Sequence, residues 1–81
     1  MLIDQDEFQS MEDIKQHVAH ALSAYGEVES VHILEPAPSN PQHIVLATMI
    51  DIEQARTASS SLGLRSFGHK SLIIPITKQP S

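Results

Sequence analysis

The sequence predicts an α+β domain in which two helices back one antiparallel sheet. Three observations predict it. Apolar residues recur at three- and four-residue spacing from Met11 to Tyr25, then alternate around Val31, and the same change of period returns between Ile52 and Ile76. Prolines and glycines stand at the changes of period. No apolar run approaches the roughly 18 residues that a membrane helix needs.

Met1-Leu2-Ile3 reads as a short first strand before Phe8 and Ser10 lead into a helix. The first helix carries Met11, Ile14, Val18, Ala21, Leu22 and Tyr25 as one stripe and should run from about Met11 to Ala24. Ser10 with Asp13 resembles a capping box, and Gly26 is a natural stop. In the second strand Val31 and Ile33 share one face, and Ser30, His32 and Leu34 the other. Glu35-Pro-Ala-Pro-Ser-Asn-Pro41 cannot join a ladder and is a loop. The nearly continuous apolar run His43–Ile50 suits a strand central in the sheet.

Asp51 is the expected N-cap of a second helix, with Gln54 completing its box. Ile52, Ala55, Ala58 or Ser59, and Leu62 form its inner stripe, and Gly63 ends it. Lys70–Thr77 is the last strand, with Leu72, Ile74 and Ile76 on one face and Ile73 and Pro75 on the other. A proline inside a strand predicts an edge position, its missing N–H facing outward. Residues 1–78 then form a single domain, with 79–81 a frayed tail. The order strand, helix, strand, strand, helix, strand is that of the ferredoxin-like sandwich, a four-stranded antiparallel sheet ordered 4-1-3-2.

Composition narrows function. The 81 residues include no Cys and no Trp, and 10 acids against 5 Lys/Arg leave a formal charge of −5. Without Cys there is no disulfide framework, thiol nucleophile or Cys-based zinc site. The acidic N-terminus does not resemble a signal or transit peptide, so a cytoplasmic protein is expected, or a nuclear one if eukaryotic. Residues 1–40 hold eight acids against Lys15, a balance of −7, and residues 41–81 hold two acids against four bases, a balance of +2. Net negative charge opposes phosphate binding, which rests on Lys and Arg displacing counterions.

Val18-Ala-His-Ala-Leu22-Ser-Ala-Tyr25-Gly26-Glu-Val28-Glu-Ser-Val31-His-Ile33 resembles the first helix and second strand of the RNA recognition motif (RRM) family. Asp51-Ile-Glu-Gln-Ala55 resembles the opening of that family's second helix, and Leu64-Arg-Ser-Phe67-Gly68-His-Lys-Ser-Leu72-Ile-Ile74 its ending. The likeness spans nearly the whole chain, but the RNA-contacting residues do not carry over. The family's strand-three motif falls on Gln42–Met49, where Gln42, Ile44 and Leu46 replace a basic residue and two stacking aromatics. The strand-one stacking position falls near Leu2. At ~1–3 kcal/mol per stacked base, losing two or three platforms removes roughly 2–9 kcal/mol.

The replacement predicts an apolar patch, Leu2, Leu34, Ile44, Leu46 and Ile73, on the sheet face away from the helices. Soluble monomers rarely leave such a patch bare. One expectation is that the Pro-rich loop or the tail covers it. The preferred expectation is a non-enzymatic module that uses it to meet a protein partner or a second copy. A second reading is weak RNA binding through loops and the basic C-terminal end, with Gln42, His43, Arg65, Phe67, Lys70 and Lys78 as candidate RNA or peptide contacts. Arg65-Ser66-Phe67 also resembles the Arg-x-Phe with which one splicing-factor subclass of the family, acidic on its first helix like Glu12 and Asp13 here, holds a tryptophan of a partner peptide. Otherwise Phe67, like Phe8 and Tyr25, is expected at a core or helix-entry position.

Catalytic and metal signals are poor. His17 and His20 lie three apart on the first helix, and His32 and His43 are expected to face each other across strands, but no ligand motif surrounds either pair, so neither metal nor cofactor is expected. The acylphosphatase version of this fold would need an Arg between Asp4 and Gln9, and its metal chaperones need paired Cys. An ACT-like small-molecule module, the third reading, would place a Gly in residues 4–10, where there is none.

Overall fold

The computed structural model describes residues 3–35, 38 and 43–77. In chain order the elements are β1 (Ile3–Asp4), a 3-10 turn (Gln5–Glu7), α1 (Met11–Ser23), β2 (Val28–Leu34), β3 (Ile44–Met49), α2 (Ile52–Leu62), β4 (Arg65–Phe67) and β5 (Ser71–Thr77). Among the described residues, two helices and a five-stranded mixed sheet make an α+β fold. Among the described residues no helix is long and apolar enough to cross a membrane.

Both helices start where the sequence places a cap. The Ser10 hydroxyl oxygen accepts from the Asp13 N–H at 3.2 Å. The Asp51 carboxylate accepts from the N–H groups of Glu53 (2.8 Å) and Gln54 (3.2 Å). These are amides that no carbonyl of the helix can reach. α2 stops at Gly63, whose φ of 66° is the left-handed conformation that residues with a Cβ resist. α1 ends differently from expectation: Ala24 caps it in the right-handed region, and Gly26 has no positive φ. Gly26 is needed for space. A Cβ there would overlap the Gln54 side chain of α2, with that residue's own Cβ only 2.8 Å away.

One parity of each strand faces the helices. Val45, Ala47 and Met49 of β3, and Leu72, Ile74 and Ile76 of β5, are buried against Ile14, Val18 and Leu22 of α1 and Ala55 and Ala58 of α2. Ile3 and Leu64 complete this core, and Phe8, Met11, Tyr25, Val28, Val31, Ile33 and Leu62 pack at its margin. Small residues at 47, 55 and 58 bring α2 close to the sheet. Ile52, expected on the inner stripe, is instead 43% exposed, because it occupies the first helical position, outside the packed turns.

The sheet order corrects the sequence reading. The four-stranded antiparallel order 4-1-3-2 is replaced by β1-β5-β3-β2, with β4 also paired to β5. The first strand was expected in the centre, but the two described residues of β1 are too short for that slot. β5 takes it, pairing with β3 from Thr48↔Ser71 to Ile44↔Pro75. β1 lies along the far side of β5 in parallel, Ile3↔Ile76 and Asp4↔Thr77. β4, a segment to which the sequence reading assigns no element, turns back at Gly68 (φ 74°) and pairs antiparallel with the start of β5.

Pro75 lies on that far side. The Ile76 N–H donates to the His43 carbonyl at 3.0 Å, so residue 76 points its polar groups towards β3 and residue 75 points away. β4 reaches only Ile73 and β1 begins at Ile76. Among the described residues, Pro75 has no directly paired residue on that side. The edge position expected for the strand is corrected, since β5 lies between β3 on one side and β1 and β4 on the other.

Candidate functional site

The second parity of the strands makes a face that no described helix covers. Directly opposed residues share a face in antiparallel pairs, so the register gives three rows. One runs Leu34, Ile44, Pro75; the next His32, Leu46, Ile73, Arg65; the third Ser30, Thr48, Ser71, Phe67. The first two rows hold a contiguous apolar group of Leu34, Ile44, Leu46, Ile73 and Pro75. In the third row the Thr48 and Ser71 hydroxyls hydrogen-bond to each other at 2.9 Å, making a polar strip.

Leu34, Ile44, Leu46 and Ile73 thus lie together, as the sequence predicts. Leu34, in edge strand β2, is 45% exposed, and the other three are half-buried by their neighbours. Leu2, predicted for the same face, is outside the described residues, as are Gln42, Lys78 and most of the Pro-rich loop.

Phe67 is the main correction at the site. It was expected at a core or helix-entry position, yet it is 64% exposed on the open face, opposite Ser71. Sequence reasoning missed this because β4 was not recognised. The available signal was Gly68-His-Lys between two short extended runs, which is a hairpin spacing. Arg65 stands beside Phe67 on the same strand face, and Lys70 is exposed in the adjoining turn, its carbonyl accepting from the Met49 N–H at 2.8 Å. His43 is not with them. It precedes β3 with the parity of the helix side, and its Nε2 lies 3.7 Å from Glu35 Oε2. The expected opposition of His32 and His43 is therefore also wrong, because His32 pairs with Leu46.

Elsewhere the described surface includes two open cavities of about 350 Å³ each. One lies under Phe8 between the 3-10 turn and Met11 and Ile14 of α1. The other lies between α2 and the β4–β5 turn, lined by Arg56, Ser59, Ser60, Ser66 and His69. In the latter the Ser59 hydroxyl is engaged, donating to the Leu64 carbonyl at 2.6 Å, and Arg56 is drawn to Glu53 at 3.6 Å. Among the described residues no three His, Asp or Glu side chains gather as a metal site. His17 instead stacks at a tilt on Phe8, with ring centroids 5.1 Å apart.

No protein-family model matches the chain, and neither does a curated protein or a solved structure.

Proposed function

We propose that this chain is a non-enzymatic, RRM-like interaction domain on a variant of the ferredoxin-like layout, and that its open sheet face binds protein, a second copy being the first partner to test. The observation that carries the reading is the Leu46–Ile73 pair, flanked by Ile44, Pro75 and Leu34, on the face opposite the two described helices.

Magnitudes favour protein over RNA. Phe67 offers a single aromatic platform, worth ~1–3 kcal/mol by stacking, whereas even millimolar affinity needs about 4 kcal/mol. The remaining contribution would have to come from cations in a chain of net charge −5. The second reading keeps one specific support: Phe67, Arg65 and Lys70 share a hairpin.

The face also limits how tight self-association can be. Four strands about 4.8 Å apart and about five residues at 3.3 Å each give a footprint of roughly 300 Å². Two such faces together stay below the ~1,200 Å² of a standard interface, so a weak dimer is expected.

A dilution series followed by amide NMR tests this. Shifts at Leu46, Ile73 and Ile44 should depend on concentration up to ~1 mM, the range of a 4–5 kcal/mol association, and Leu46→Asp should remove the dependence. Concentration-independent spectra, with shifts at Arg65, Phe67 and Lys70 on adding a mixed RNA pool that vanish in salt, would overturn the proposal in favour of RNA.

A further inference from the structure

The edge of the sheet offers hydrogen-bonding groups that the open face does not use. β2 ends the sheet on one side, and no other described strand lies beyond it. The hydrogen-bond pattern fixes which of its groups are unused. The Met49 N–H donates to Lys70 across the β5 side, and the Ile50 N–H donates to the Glu27 carbonyl at 3.1 Å across the β2 side. Even-numbered residues of β3 therefore face β2, so Ile44 and Leu46 exchange bonds with Leu34 and His32. Val31 and Ile33 turn their N–H and C=O groups outward.

Natural edge strands are guarded against chance pairing, and β2 shows two such guards: a register shift between Val28 and Ser30, and flanking charge. The charge has one sign. Glu27, Glu29 and Glu35 are all exposed, and residues 27–35 contain no Lys or Arg. That argues against a second copy at this edge. Antiparallel pairing of two β2 strands through Val31 and Ile33 brings Glu35 of each copy opposite Glu29 or Glu27 of the other, and like charges directly opposed destabilise a ladder. A cationic strand meets the same three glutamates as counter-charges.

We infer that the outer edge of β2 accepts an extended basic peptide segment as an added strand. Its backbone bonds Val31 and Ile33, its Lys or Arg side chains reach Glu29 and Glu35, and its alternate apolar side chains extend the Leu34–Ile44 row of the open face.

The probe is an acetylated, amidated heptapeptide of alternating Lys and Val, with a Glu–Val counterpart and a version N-methylated at alternate residues. Binding of the Lys–Val peptide should slow hydrogen exchange at the Val31 and Ile33 amides. Glu29→Lys with Glu35→Lys, both at exposed positions, should weaken that peptide by about tenfold and favour the Glu–Val peptide. Equal binding of the N-methylated peptide, unprotected Val31 and Ile33 amides, or indifference to the charge reversal would each overturn the inference. Concentration-dependent shifts at Leu46 and Ile73 report the face, and peptide-dependent protection at Val31 and Ile33 reports the edge, so either proposal can fail alone.

Discussion

Replacing Phe67 with Ala separates the structure from the reading that buries this ring. At 64% exposure about a third of the residue is covered. For a residue of roughly 200 Å² that is about 70 Å², or about 1.8 kcal/mol at 25 cal/mol/Å². The figure is a ceiling, because unfolded chains already hide 10–40% of such area. Ala also keeps the backbone and Cβ share. The expected loss is about 1 kcal/mol, in line with a cross-strand contact. A core phenylalanine would cost about 3–5 kcal/mol. The whole domain is expected to hold ~4–12 kcal/mol at 0.05–0.15 kcal/mol per residue, so the two outcomes are well separated. Urea unfolding followed by far-UV circular dichroism measures the difference. A loss above about 2.5 kcal/mol with an unchanged m-value would show that Phe67 is packed, and would refute β4 as drawn.

Two further substitutions probe the helix layer. Leu22→Ala removes a fully buried side chain from the last turn of α1 and should cost about 2–5 kcal/mol, lowering the melting temperature by roughly 4–8 °C for each kcal/mol. A calorimetric scan showing a shift of only a few degrees would mean that α1 does not pack as described. Gly26→Ala should destabilise through Gln54 and not through backbone strain, so Gln54→Ala should recover part of the loss, with a coupling of about 0.5–3 kcal/mol in a double-mutant cycle. Strict additivity would contradict the close approach of α2 to Gly26.

Element types and caps were legible because they rest on local chemistry. Ser10, Asp51 and Gly63 each act on amides or a backbone angle within a few residues, and the alternations at 31–33 and 72–76 assign faces without knowledge of partners. The open face followed from the same alternation. Sheet order did not, because it depends on which strand wins the slot beside β3, a comparison between segments far apart in the chain. The resemblance favoured the first strand there, but β1 has two described residues and β5 has seven. Pro75 reports on one side of one residue, whereas the place of a strand depends on its partners along its whole length. Phe67 was lost with β4, since a three-residue strand gives too little alternation to reveal a face.

The pairing of Ile3 with Ile76 has a consequence for how the molecule comes into being. The Thr77 hydroxyl donates to the Ile3 carbonyl at 3.0 Å, joining residues 74 positions apart. Closing so long a loop costs about 4 kcal/mol from the length dependence alone, against about 1 kcal/mol for the β4–β5 turn. The described seam, two residue pairs with the Thr77 hydroxyl bond and buried Ile3, sets gains of similar size against that cost. During synthesis at 5–20 residues per second, Ile3 waits roughly 4–15 s for its neighbour to be made. Through that interval the central strand β5, which brings Leu72, Ile74 and Ile76 into the core, is itself incomplete, so the core stays open along the middle of the sheet and not only at the Ile3 corner.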